Sequence, residues 1–79
     1  MTLREALERA HAEHVILLDI VGNYFFPLDV LDVCEVEAPE LLDQKVYLGY
    51  DGIWPLDANG GIRGTEPMYS TESTRTESR

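Results

Sequence analysis

Apolar residues recur every three or four positions at the start of the chain, which is the spacing of an amphipathic helix. Thr2 and Glu5 stand three residues apart just where this pattern begins. This is the spacing of a capping box, in which each side chain accepts a hydrogen bond from a free amide of the first turn. We therefore predict a helix over residues 3–13, with Leu7 on its buried face.

The pattern then changes to a run that is rich in branched residues and apolar on both faces, which favours a central β-strand. This run covers residues 15–21, and the Gly-Asn dipeptide that follows it fits a type II′ turn. The turn predicts an antiparallel return strand over residues 24–26. Pro27 leaves an edge strand, a bulge, or the first turn of a short helix over residues 28–34 as alternatives, and we expect the strand.

A second hairpin is predicted further along the chain. Residues 38–43 indicate a turn or a single helical turn, and residues 46–50 indicate a strand. Asp51 and Gly52 fit a type I′ turn that leads into another strand from Ile53. The second half of the chain thus adds two antiparallel strands.

These elements predict one small α+β domain over residues 1–64, with one N-terminal amphipathic helix packed on a small, mainly antiparallel β-meander. Seven of the last fifteen residues are Ser or Thr, so we expect residues 65–79 to be a flexible tail. The expected core consists of the apolar residues of the predicted helix and strands: Leu7, Val15, Leu17, Leu18, Ile20, Val21, Phe25, Phe26, Val46, Leu48, Ile53 and Trp54.

The distribution of charge along the chain is more informative than its composition. The 79 residues include fifteen acids and six bases, for a formal net charge of -9. Residues 13–57 hold ten acids and a single base, Lys45, so the whole excess lies in the centre of the chain. Nucleic acids and anionic membrane surfaces repel such a chain, and we expect it to bind neither of them directly.

Six of these acids occur within fifteen residues without an intervening base, and they are the candidate partner-binding residues: Asp29, Asp32, Glu35, Glu37, Glu40 and Asp43. In a strand, Glu35 and Glu37 would share one face at a separation of about 6.8 Å. A row of carboxylates at this spacing resembles the charges of a nucleic-acid backbone. It could fill the basic groove of a protein that handles DNA or RNA.

We therefore expect a non-enzymatic, acidic protein-binding module that occupies a basic surface of a nucleic-acid-handling protein. Small acidic inhibitors of phages and mobile elements, including nucleic-acid mimics and anti-CRISPR proteins, have the same size and charge, although no motif is shared. The alternative is that the acids only form a solvated or halophilic surface. The protein would then be a small assembly subunit that homo-oligomerises through its apolar hairpin, where Tyr47, Tyr50 and Trp54 could form an anchor.

Other chemistry has little support in the sequence. Cys34 is the only cysteine and cannot form an internal disulfide, and nearby carboxylates would raise its pKa and weaken the thiolate. His11 and His14 could approach one metal ion, but two ligands do not make a site. We assign no catalytic residue, metal ligand or cofactor. The chain shows neither a secretory signal nor a long apolar run, so we expect a cytoplasmic protein.

Overall fold

Helices pack on one face of an antiparallel sheet in this protein, as shown by a computed structural model that describes residues 1–19 and 21–72. This architecture confirms the predicted small α+β fold. The elements in chain order are α1 Leu3–Ala12, β1 Ile16–Leu18, β2 Tyr24–Phe25, α2 Pro27–Glu37, a 3-10 helix Pro39–Asp43, β3 Val46–Leu48, β4 Gly52–Pro55 and β5 Tyr69–Glu72. No helix in the described ranges is long and apolar enough to cross a membrane.

Helix α1 forms where the sequence predicts it, and its capping box is complete. The backbone amide of Glu5 donates to the Thr2 hydroxyl at 3.3 Å, and the amide of Thr2 donates to the Glu5 carboxylate at 2.8 Å. The bond from the Thr2 amide is the largest cause that holds the pKa of Glu5 below its usual range, and the Thr2 hydroxyl, which donates to the same carboxylate at 3.4 Å, also lowers it. The helix ends at Ala12, and His14 follows it in the left-handed region with a φ of 59°.

Two hairpins make up most of the sheet. Strand β1 pairs with β2, and β3 pairs with β4, both antiparallel, as the sequence predicts. The second turn, however, lies one residue earlier than predicted: the Gly49 amide donates to the Gly52 carbonyl at 2.8 Å, so Tyr50 and Asp51 form its centre. Gly52 itself belongs to β4, where any side chain would collide with the backbone carbonyl of Tyr69 on β5.

Strand β5 lies between the two hairpins, in the sheet order β2-β1-β5-β4-β3. The predicted flexible tail included residues 69–72, and the structure corrects this, because they form the central strand. The strand gains its burial from its neighbours, which local sequence does not reveal. For example, the Tyr69 and Phe25 rings pack edge to face, with their centroids 6.1 Å apart. The rest of the predicted tail, residues 73–79, lies outside the described residues.

The segment after Pro27 is a helix, so our preference for a strand there is wrong. Proline suits the first turn of a helix, since the amide that it lacks would have no partner there. Val30 and Leu31 are buried at helical spacing behind Pro27. Valines on the outer side of α2 obscured this period in the sequence.

The core lies between the helices and the sheet and is made of aliphatic side chains. Its buried members are Leu3, Ala6, Leu7, Ala10, Leu17, Val30, Leu31, Leu42, Val46 and Ile53. Of the predicted core, Val21 and Phe26 are largely exposed, because Val21 lies in the first hairpin loop and Phe26 immediately precedes α2. Val15, Phe25 and Leu48 pack at the margin of the core, whereas Leu18 and Trp54 are half-buried, and Ile20 lies outside the described residues.

Candidate functional site

The six acids of the candidate site lie on two consecutive helical elements that contact each other. Helix α2 carries Asp29, Asp32, Glu35 and Glu37, and the 3-10 helix carries Glu40 and Asp43. All six residues are exposed. We call residues 29–43 the acidic segment.

The predicted strand geometry of Glu35 and Glu37 is wrong, because both residues belong to α2. Residues two apart in an α-helix project about 200° apart around its axis, so these carboxylates do not share a face. The pair that lies side by side is Asp29 and Asp32, which are three residues apart on the side of α2 that faces away from the core. The acids therefore surround the outer half of the helix instead of forming one row.

One member of the acidic segment forms an ion pair. The Arg4 guanidinium on α1 donates to the Glu35 carboxylate at 3.0 Å, with both side chains about half exposed. Among residues 1–19 and 21–72, the carboxylates of the other five acids take part in no ion pair and no hydrogen bond. Within these ranges the negative charge of the acidic segment is thus only slightly compensated.

Two apolar side chains interrupt the acids on α2, and the sequence analysis missed their role. Val33 is 55% exposed and Val36 is 82% exposed. They stand three residues apart and so lie next to each other on the outer side of the helix, beside Asp29 and Asp32. The signal in the sequence was the spacing of these valines, which has meaning only once the segment is known to be helical.

A groove of about 340 Å³ opens beside Val33, between α2 and the strands β2 and β5. Its walls are apolar and aromatic, with one carboxylate at the margin; the lining residues are Phe25, Asp29, Val30, Val33, Cys34 and Tyr69. A space of this size with apolar walls accommodates a large aliphatic or aromatic side chain. An apolar groove therefore lies directly beside the acidic segment.

The Cys34 thiol in this groove is not activated for nucleophilic attack. Burial raises its pKa, and the negative charge of Glu37 raises it further. The Tyr69 phenol also has a raised pKa, first because of burial. His11 and His14 line a different groove at the other end of α2, so the structure does not bring an imidazole into the groove of Cys34.

The part of the chain that the structure describes contains no cluster of metal-ligating side chains. No group of three or more His, Cys, Asp or Glu residues there could hold a metal ion. His14 has left α1, and its backbone amide donates to the carbonyl of His11 at 3.0 Å. His11 therefore belongs to α1, whereas His14 lies beyond its end, and the two histidines do not share one regular helix.

The aromatic hairpin, residues 47–54, is a second exposed feature. Tyr47 and Trp54 are cross-strand partners, and they project from the sheet face opposite Val46 and Ile53. The Trp54 indole donates to the Asp51 carboxylate at 3.0 Å, and Tyr50 at the tip is fully exposed.

Comparison with protein-family models, with curated proteins and with solved structures gave no match.

Proposed function

We propose that this protein is a non-enzymatic, acidic protein-binding module that occupies a basic surface of a nucleic-acid-handling protein. The observation that carries the proposal is the acidic segment, in which five exposed carboxylates have no cationic partner within the described ranges. The partner would supply the missing cations.

The charge arrangement supports binding by electrostatic steering. A concentrated patch of one sign raises the rate of encounter with an opposite patch and disfavours partners of like charge. An acidic protein and a nucleic acid would compete for the same basic surface of the partner. When this protein occupies that surface, nucleic acid is therefore excluded from it. The inhibitory role proposed here is thus stoichiometric, and it is comparable with that of small acidic inhibitors of phages and mobile elements.

The test uses charge reversals that leave the fold in place. Asp32→Lys and Glu37→Lys together remove two exposed acids that make no described contact, and a lysine at position 37 suits the carboxyl end of a helix. Glu8→Lys with Glu66→Lys is the matched control, because it changes the net charge equally at exposed positions outside the acidic segment.

The tagged full-length proteins would be used to capture proteins from lysate of the source organism at low salt and then washed at about 1 M salt, where the Debye length falls to about 3 Å. We expect a basic nucleic-acid-handling protein that elutes with salt, is retained by the control variant and is lost by the double reversal. With that purified partner, the double reversal should lower the association rate roughly tenfold or more. Equal capture by both variants would contradict the proposal.

A second candidate function, an assembly subunit that homo-oligomerises, is favoured by the exposure of Tyr47 and Tyr50 on the aromatic hairpin. This candidate predicts self-association that persists at high salt, since apolar contacts are not screened. Sedimentation of the wild-type protein and of Tyr47→Ser with Tyr50→Ser at low and high salt separates the two candidates.

A further inference from the structure

We infer that the partner segment that binds this protein is cationic and amphipathic, and that one of its large apolar side chains enters the groove between α2 and strands β2 and β5. This inference rests on the proposed function and specifies the chemistry of the partner. It assigns a role to Val33, Val36 and the groove, because electrostatic attraction alone does not explain why these apolar features are exposed beside the acids.

The apolar part of the surface is continuous. Val33 lines the groove and is also 55% exposed, so it joins the recess to the outer side of α2. Val36 lies about one helical turn further along α2 and is 82% exposed. We call Val33 and Val36 the apolar strip. A partner that offered only cations to this surface would leave both valines in water, and a partner with an apolar ridge would bury them.

The charges around the strip decide what kind of apolar partner fits. Asp29 stands at the margin of the groove, Asp32 lies on the outer side of α2, and Glu37 follows the strip at the end of the helix. A second copy of this chain would bring the same carboxylates against each other, and a nucleic acid or an anionic membrane would add negative charge. A partner segment with lysine or arginine on both sides of an apolar residue meets both requirements. Its cations pair with the carboxylates, and its apolar side chain fills the groove.

Two short synthetic peptides test this inference directly on the full chain. One has leucine at helical spacing among lysines, and the other has serine in place of every leucine, so the two carry the same charge. We expect the Leu/Lys peptide to bind roughly tenfold or more tightly, which corresponds to burial of about one aliphatic side chain. Fluorescence anisotropy of labelled peptides measures the affinities.

Variants of the apolar strip show where the additional affinity for the Leu/Lys peptide arises. Val33→Ser with Val36→Ser should remove the advantage of the Leu/Lys peptide and leave the Ser/Lys peptide unchanged. Ile62→Ser is the matched control, because Ile62 is 52% exposed and lies beyond β4. Far-UV circular dichroism verifies the fold of each variant. Saturating Leu/Lys peptide should also slow alkylation of the Cys34 thiol in the groove, and saturating Ser/Lys peptide should not.

The outcomes separate this inference from the proposed function. If both peptides bind equally and Asp32→Lys with Glu37→Lys weakens both, the acidic surface stands and the apolar anchor is overturned. An unchanged peptide preference in the double valine variant also overturns the anchor. If neither peptide binds, both proposals fail.

Discussion

Helix α1 has a capping box and buries four residues, whereas α2 has no side-chain cap and exposes two valines. The last turn of α1 carries Arg9 and His11, which suit the negative end of a helix, but the last turn of α2 carries only acids among its charged residues. Exposed valine is also a poorer helix former than alanine or lysine. Helix α1 is thus composed for stability, while the outer face of α2 contributes little to the fold. The proposed contact with a partner would give that face a function.

Core truncation gives the largest expected effect and separates the two helices most clearly. Leu7→Ala on α1 should lower the free energy of unfolding by about 2–5 kcal/mol, because Leu7 is fully buried. For a chain of this size the total stability is on the order of 4–12 kcal/mol, so much of it would be lost. Val36→Ala on α2 should change it by less than about 0.5 kcal/mol. Urea denaturation followed by far-UV circular dichroism measures both, and similar losses would contradict the contrast between the helices.

The sequence predicted α1 because its signals are local. Thr2 and Glu5 mark the start of the helix, and the apolar period that follows comes from residues within one element. The hairpin of β3 and β4 was predictable for the same reason, although its turn lies one residue earlier than predicted and Gly52 packs closely against β5.

Elements that depend on distant contacts escaped prediction. Strand β5 consists of Tyr, Ser, Thr and Glu, and it is ordered by β1 and β4, which are far away in the sequence. Helix α2 was missed because Val33 and Val36 stand among the acids of its outer side and so obscure the helical period of its buried residues. The six acids could be identified from the sequence as a group, but not their faces, since Glu35 and Glu37 separate only when α2 is a helix.

The helix cap is the next test, with an intermediate effect. Thr2→Ala removes the hydroxyl that accepts from the Glu5 amide and should destabilise the protein by about 1 kcal/mol. Thr2→Ser retains the hydroxyl and should have close to wild-type stability. Thermal denaturation of the three proteins checks this, and equal midpoints for the alanine and serine variants would show that the cap does not stabilise α1.

The smallest expected effect distinguishes a structural acid from the acids of α2. The Asp19 carboxylate accepts hydrogen bonds from the backbone amides of Val21 and Asn23 at 3.0 and 2.9 Å, and from the Asn23 side chain at 3.0 Å. These bonds, with the one from the Asn23 backbone as the largest cause, lower the pKa of Asp19 in the folded protein. Asp32 accepts no comparable bond in the described part of the chain.

A lowered pKa in the folded state means that ionised Asp19 stabilises the fold. This contribution is complete above the ordinary aspartate pKa of about 3.9 and is lost as the pH falls through the lower folded value. Asp19→Asn should therefore reduce the urea midpoint at neutral pH, and its difference from wild type should shrink as the pH falls below about 4. Asp32→Asn should not reduce the midpoint at neutral pH. A loss of stability in Asp32→Asn equal to that in Asp19→Asn would mean that the acids of α2 support the fold, and it would remove the reason to assign them to a partner.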